Sequence, residues 1–172
     1  VYSAKEEATG AYSLLHDGTH LVDILLFFLE KIESKNVVLK NPQIHGLYRD
    51  EKGDVRNVSA IYSFASCPLV EINISGRSKF FGFGLEILGT EGKISVGNGY
   101  FEVFRRKPSK LYSGFYSLEK DKKIRKPKKT LYFSNMISNA VDFLDGKSNL
   151  KSTLQTGINA LSVLEEIKAS IK

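Results

Sequence analysis

From His20 to Ile32 the chain runs without Gly or Pro, and Leu21, Ile24, Leu25, Phe28 and Ile32 recur at helical spacing. Val22, Leu26, Phe27 and Leu29 widen that stripe, which predicts a helix buried on most sides. Asp17-Gly18-Thr19 offers capping oxygens at its start, and Glu30 to Lys35 is its polar exit. Further along, the period changes to two. Val58 to Phe64 and Leu69 to Ile74 are rich in β-branched and aromatic residues, with Val70, Ile72 and Ile74 alternating with Glu71, Asn73 and Ser75. Phe81, Phe83, Leu85 and Ile87 repeat the alternation. Gly89-Thr90-Glu91-Gly92 reads as a turn into Lys93 to Val96, and Asn98-Gly99 as a tight hairpin before Tyr100 to Phe104. Two further strands are expected at Leu111 to Leu118 and Thr130 to Phe133.

Two helices finish the pattern. One runs from about Asn135 to Leu144 and is stopped by Asp145-Gly146. The other opens on Ser152-Thr153-Leu154-Gln155, read as a capping box, and buries Leu154, Ile158, Leu161, Leu164 and Ile167. Helix, consecutive hairpins, then helices predicts an α+β fold, a largely antiparallel open β-sheet with helices packed on one face. Residues 1–172 read as a single domain.

Composition narrows the class. Hydrophobic content of 42% and charged content of 26% are those of a globular protein, and no apolar run is long enough to span a bilayer. No membrane partner is therefore expected. Val1 to Glu7 is polar and acidic, unlike a signal peptide. The single cysteine, Cys67, excludes an internal disulfide and fits a reducing cytoplasm; it reads as a small buried hydrophobe. Met136 is the only methionine, so the chain reads as a piece cut from a longer protein.

Charge is uneven. Residues 105–130 hold eleven Lys and Arg against Glu119 and Asp121, a net of +9 in a chain whose total is +6. A solvated loop is the first reading of this segment, a phosphate-bearing substrate such as a nucleotide sugar the second. Nucleic acid comes last, because no recognised binding fold surrounds the run. Tyr112, Phe115 and Tyr116 fall in an expected strand, where aromatics serve packing.

The densest chemistry is His16-Asp17-Gly18-Thr19-His20-Leu21-Val22-Asp23, two histidines and two carboxylates at the mouth of a helix. Backbone N–H groups of a first turn oppose a protonated imidazole at His20, while Asp17 and Asp23 favour one. That balance suits a general base or acid. A capping histidine with no chemistry is the other reading. Asp23 lies one turn from His20 and is placed either to bond its imidazole or to bond neighbouring backbone. His45 has nothing nearby to complete a site. Gly82-Phe83-Gly84 lies in a strand pattern and opens no helix, so it is not a phosphate loop.

Gly18-Thr19-His20-Leu21-Val22-Asp23-Ile24-Leu25 resembles the helix-opening motif of the glucose–fructose oxidoreductase and inositol dehydrogenase (Gfo/Idh/MocA) family. Glu86 to Val96 resembles that family's "GTEG" hairpin. Asp142 to Gly146, Thr156 to Leu161 and Glu165 to Ser170 resemble its terminal helix pair. The resemblance implies a dihydrodipicolinate-reductase-like C-terminal domain that binds substrate and oligomerises through its sheet. The partner Rossmann domain, binding NAD or NADP, is absent from this chain. The family's histidine falls on His20, the expected proton acceptor from a sugar, cyclitol or nucleotide-sugar hydroxyl, with Asp17 as its catalytic companion. The position four residues before it, often aspartate in the family, is His16. His16, Thr19, Asp23 and Tyr12 are the expected substrate contacts. The fragment alone is expected to be inactive. The competing expectation is a non-catalytic scaffolding module holding anionic partners on residues 105–130.

Overall fold

The computed structural model describes residues 18–34, 37–64, 66–76, 80, 82–127 and 130–171. Among them the elements follow in the order α1 (Gly18–Glu33), β1 (Gln43–Arg49), β2 (Val55–Phe64), β3 (Cys67–Ser75), β4 (Gly84–Gly89), β5 (Gly92–Gly97), β6 (Tyr100–Pro108), β7 (Tyr116–Lys120), α2 (Tyr132–Leu144) and α3 (Leu154–Ser170). The fold is α+β, and every strand pairing is antiparallel. The strands form two sheets, ordered β1-β2-β3 and β4-β5-β6-β7. The chain divides into two compact units, residues 1–79 with 149–172, and residues 80–148. No helix among the described residues is long and apolar enough to cross a membrane.

In the first unit, strand alternation decides the core. Val58, Ala60 and Tyr62 of β2 stand beside Ile74, Ile72 and Val70 of β3, and all six are buried. The helices α1 and α3 cover this face with Val22, Leu26 and Leu29 from one and Ala160, Val163, Leu164 and Ile167 from the other. Each buried Val, Leu or Ile among them contributes about 1.5–3 kcal/mol by leaving water. The outer face carries Gln43, His45, Ser59, Glu71 and Asn73. Cys67 opens β3 half-buried against the core rather than fully inside it.

Both helices bury a stripe turned from the expected one. In α1 the inner line is Val22, Leu26 and Leu29, while Leu21, Ile24, Leu25 and Phe28 are half-buried and Ile32 is exposed. In α3 only Leu164 and Ile167 of the expected stripe are buried; Leu154, Ile158 and Leu161 are exposed. Small Ala160 and Val163 lie inside instead, where α3 packs against α1. The capping box is real but centred on Thr153. Thr156 donates its N–H to Thr153 Oγ1 at 3.2 Å, and Thr153 donates its own to Thr156 Oγ1 at 3.0 Å.

In the second unit, β4 and β5 meet at Gly89 and Gly92, and β5 and β6 turn at Asn98-Gly99, where Gly99 takes φ 84°. One sheet face presents Leu85, Ile87, Ile94, Val96, Phe101 and Val103; the other carries Glu86, Lys93, Glu102 and Lys120. The strand expected over 111–118 is displaced. Residues 109–115 form a turn in which Ser109 Oγ accepts the N–H groups of Leu111 and Tyr112, each at 3.2 Å, and Gly114 takes φ 79°. Pairing resumes at Tyr116, leaving Tyr112, Phe115 and Tyr116 exposed rather than packed. The strand expected at 130–133 is absent, since Tyr132 and Phe133 begin α2. Gly146, at φ 69°, ends α2 as expected by donating to Phe143 O at 3.0 Å.

Candidate functional site

The helix-mouth motif is placed by α1. Gly18 is buried and Thr19 half-buried in its first turn, while His20 and Asp23 are exposed. Val22, between them, is fully buried, so the helix is anchored in the core on one side while His20 and Asp23 face out on the other. The outward line continues through Phe27 and Lys31, whose Nζ lies 5.7 Å from the Phe27 ring centroid. Spacings of three, four and four residues keep these four side chains on one helical stripe. His20 and Asp23 are thus brought to one surface, where an imidazole can exchange a proton with a bound hydroxyl. Tyr12, His16 and Asp17 lie outside the described residues. His45 is exposed on the edge strand β1, away from the buried face.

Among the described residues no group of three or more His, Cys, Asp and Glu could hold a metal ion. Nor do they offer a dinucleotide cradle. Gly82 and Phe83 lead into β4, which begins at Gly84, and no helix opens there to receive a pyrophosphate.

The basic segment is more ordered than a solvated loop. Arg105 pairs with Asp121 at 2.7 Å, Lys107 and Lys110 both with Glu119 at 3.3 Å, and Lys120 with Glu102 at 2.6 Å. Arg106 reaches Glu91 at 3.4 Å and stacks on the Tyr116 ring, 3.8 Å from its centroid. Hydrogen bonds from Lys107 and Lys110 hold the Glu119 carboxyl below its ordinary value, and Arg105 does the same for Asp121. What is left uncompensated is narrow: besides Lys126, which donates to the Gly99 carbonyl, Lys122, Lys123 and Arg125 are exposed and have no acidic partner among the described residues. Composition could not separate these three from the rest, because pairing across β6 and β7 depends on register. No protein-family model matches this chain, and no curated protein matches it.

Proposed function

We propose that the chain is the substrate-binding and oligomerisation part of an NAD(P)-dependent oxidoreductase acting on a sugar, cyclitol or nucleotide-sugar. One observation carries the reading: His20 and Asp23 lie exposed on one stripe of α1 while Val22 between them is fully buried. A helix anchored in this way fixes the backbone from which the imidazole projects outward, where a proton acceptor can meet a substrate hydroxyl. The motif around His20 and its resemblance to the Gfo/Idh/MocA helix opening support the same assignment. The same resemblance assigns NAD or NADP to a separate nucleotide-binding domain.

The test is substrate-dependent reduction of NAD or NADP by the protein joined to that domain, screened over sugars and cyclitols, with His20→Ala beside wild type. Activity that falls about 100-fold or more in the variant, with cofactor binding kept, is the expected result. Activity that survives the substitution overturns the role of His20. Association is proposed through the apolar face of the four-stranded sheet, where Leu85, Ile87, Ile94, Val96, Phe101 and Val103 are at most half-buried. Light scattering should show a dimer or larger species, and a monomer at high concentration overturns this part.

A non-catalytic module that holds anionic partners is the second reading. The uncompensated cations at Lys122, Lys123 and Arg125 favour it.

A further inference from the structure

One corner of the four-stranded sheet combines features that neither the fold nor the α1 site uses. Gly84, Gly97 and Tyr100 lie in a row across β4, β5 and β6. The Tyr100 ring lies over the two glycines. A Cβ on Gly97 would overlap the ring, and one on Gly84 would sit 3.2 Å from its hydroxyl. Such a cross-strand cover repairs the gap that glycine leaves in a strand. It also does something more: a ring resting on bare backbone is fixed from below, and Tyr100 is still 46% exposed.

The cationic turn runs beside it. After β7, Asp121 donates its N–H to Val103 O at 2.7 Å, and Lys126 donates from Nζ to Gly99 O at 2.7 Å. Residues 121–126 are thus tied to β6 at Val103 by backbone and, through the Lys126 side chain, to Gly99, the residue before Tyr100. The turn is pinned rather than loose. Asp121 Oδ1 accepts the N–H of Lys123 at 3.0 Å while Oδ2 accepts from Arg105 at 2.7 Å. It displays Lys122, Lys123 and Arg125, none with an acidic partner among the described residues.

We infer that this corner binds a nucleoside diphosphate group, the base stacked on Tyr100 and the phosphates held by Lys122, Lys123 and Arg125. Base–aromatic stacking and charge-assisted hydrogen bonds to phosphate are the two interactions these side chains supply. The distribution of charge sets the size of the ligand. Elsewhere on this face Lys93 is paired with Glu86, Lys120 with Glu102 and Arg106 with Glu91. Among the described residues of this sheet, the exposed cations without an acidic partner are gathered in the 122–126 turn, which fits one base and two phosphates rather than a strand crossing the sheet. The inference uses no residue of α1 and rests on the second reading, naming the chemistry of the anionic partner that Lys122, Lys123 and Arg125 would hold.

Calorimetric titration of the 172-residue chain with UDP, ADP and inorganic pyrophosphate tests it. Expected is binding of both nucleotides, with pyrophosphate weaker by about tenfold or more, the share a stacked base contributes. Joint replacement of Lys122→Gln, Lys123→Gln and Arg125→Gln, all exposed, should weaken UDP about tenfold. Tyr100→Phe should keep binding. Tyr100→Leu, which still covers Gly97 but lacks a ring, should lose about fivefold or more. The proposal is overturned by absent UDP binding at about 1 mM, by pyrophosphate binding as tightly as UDP, or by indifference to the triple substitution. Poly(U) binding far more tightly than UDP, with affinity collapsing as salt rises, would instead assign the corner to nucleic acid and also overturn it.

Discussion

Arg56 reaches the carboxylate of Asp50 with two nitrogens, Nε at 2.7 Å and Nη2 at 2.6 Å, both on Oδ2. Oδ1 is left to accept the backbone N–H groups of Lys52 and Asp54, each at 3.0 Å. One side chain thereby closes the turn between β1 and β2 and ties it to the strand that leaves it. Burial pushes the Asp50 carboxyl up, but the Arg56 hydrogen bond, the two backbone donors and the Arg56 charge together hold it below its ordinary value.

Acid stability follows from that direction. A carboxylate with a lower pKa in the folded than in the unfolded chain stabilises the fold above its ordinary value and loses that contribution as pH falls through the folded one. Glu86, Glu119 and Asp121 are lowered too, chiefly by hydrogen bonds from Lys93, Lys107 and Arg105. Urea denaturation should show stability falling as pH drops below the ordinary values of 3.8 for Asp and 4.5 for Glu. Asp50→Asn should be less stable at pH 7 and show a shallower fall. Stability that rises on acidification contradicts this account.

At the alkaline end the group to watch is Tyr62. It is 4% exposed, and its hydroxyl has no hydrogen-bond partner among the described residues. Burial first, and the Glu166 carboxylate second, push the phenol well above its ordinary value of 10.0. A raised acid is stabilising below its unfolded value, and that contribution is lost as pH rises from there. Tyr62→Phe is expected to hold or raise stability at pH 7 by up to about 1 kcal/mol, since it removes an unpaired buried hydroxyl. It should also flatten the fall in stability above pH 10.0. A Tyr62→Phe protein that is markedly less stable at neutral pH would show that the hydroxyl is partnered.

Two leucines one turn apart on α3 report which face is buried. Leu164 is 0% exposed and Leu161 49%. Leu164→Ala should cost about 2–5 kcal/mol, because it leaves a cavity in the core. Leu161→Ala should cost less than about 1 kcal/mol. Denaturant midpoints of the two variants decide it, and equal losses would mean that the helix is rotated.

The α1 motif separates function from folding in the same way. His20→Ala should change stability by less than about 0.5 kcal/mol, since His20 is exposed. Val22→Ala, at a fully buried position, should cost several times more. Thermal melts of both variants, run beside the activity assay, show whether a loss of activity in His20→Ala is chemical. Unfolding of His20→Ala would remove the basis for assigning it a role.

Local pattern was enough for much of this. The alternation of Val70, Ile72 and Ile74 with Glu71, Asn73 and Ser75 specifies a strand with one buried face, and that face is buried. Asn98-Gly99 specifies its hairpin, and Gly146 the end of α2, because each turn demands a backbone conformation that few residues adopt. The edge strand β1, where residues 43–49 are exposed apart from a half-buried Ile44, lacked any such signal. In residues 109–115 the aromatic content suggested a strand, but Ser109 and Gly114 satisfied the backbone locally instead.

The sequence by itself determined the helices, the antiparallel hairpins and the clustering of His20 with Asp23 on one helical turn, because periods of 3.6 and 2 are properties of neighbouring residues. Tertiary structure decided which side of α1 and α3 enters the core, since each helix carries more apolar positions than one contact can bury. It also decided which cations of residues 105–126 are neutralised. Lys120 meets Glu102 and Arg105 meets Asp121 only through the register of β6 on β7, so a run of like charge is in part neutralised on the sheet and in part left over in the turn after β7.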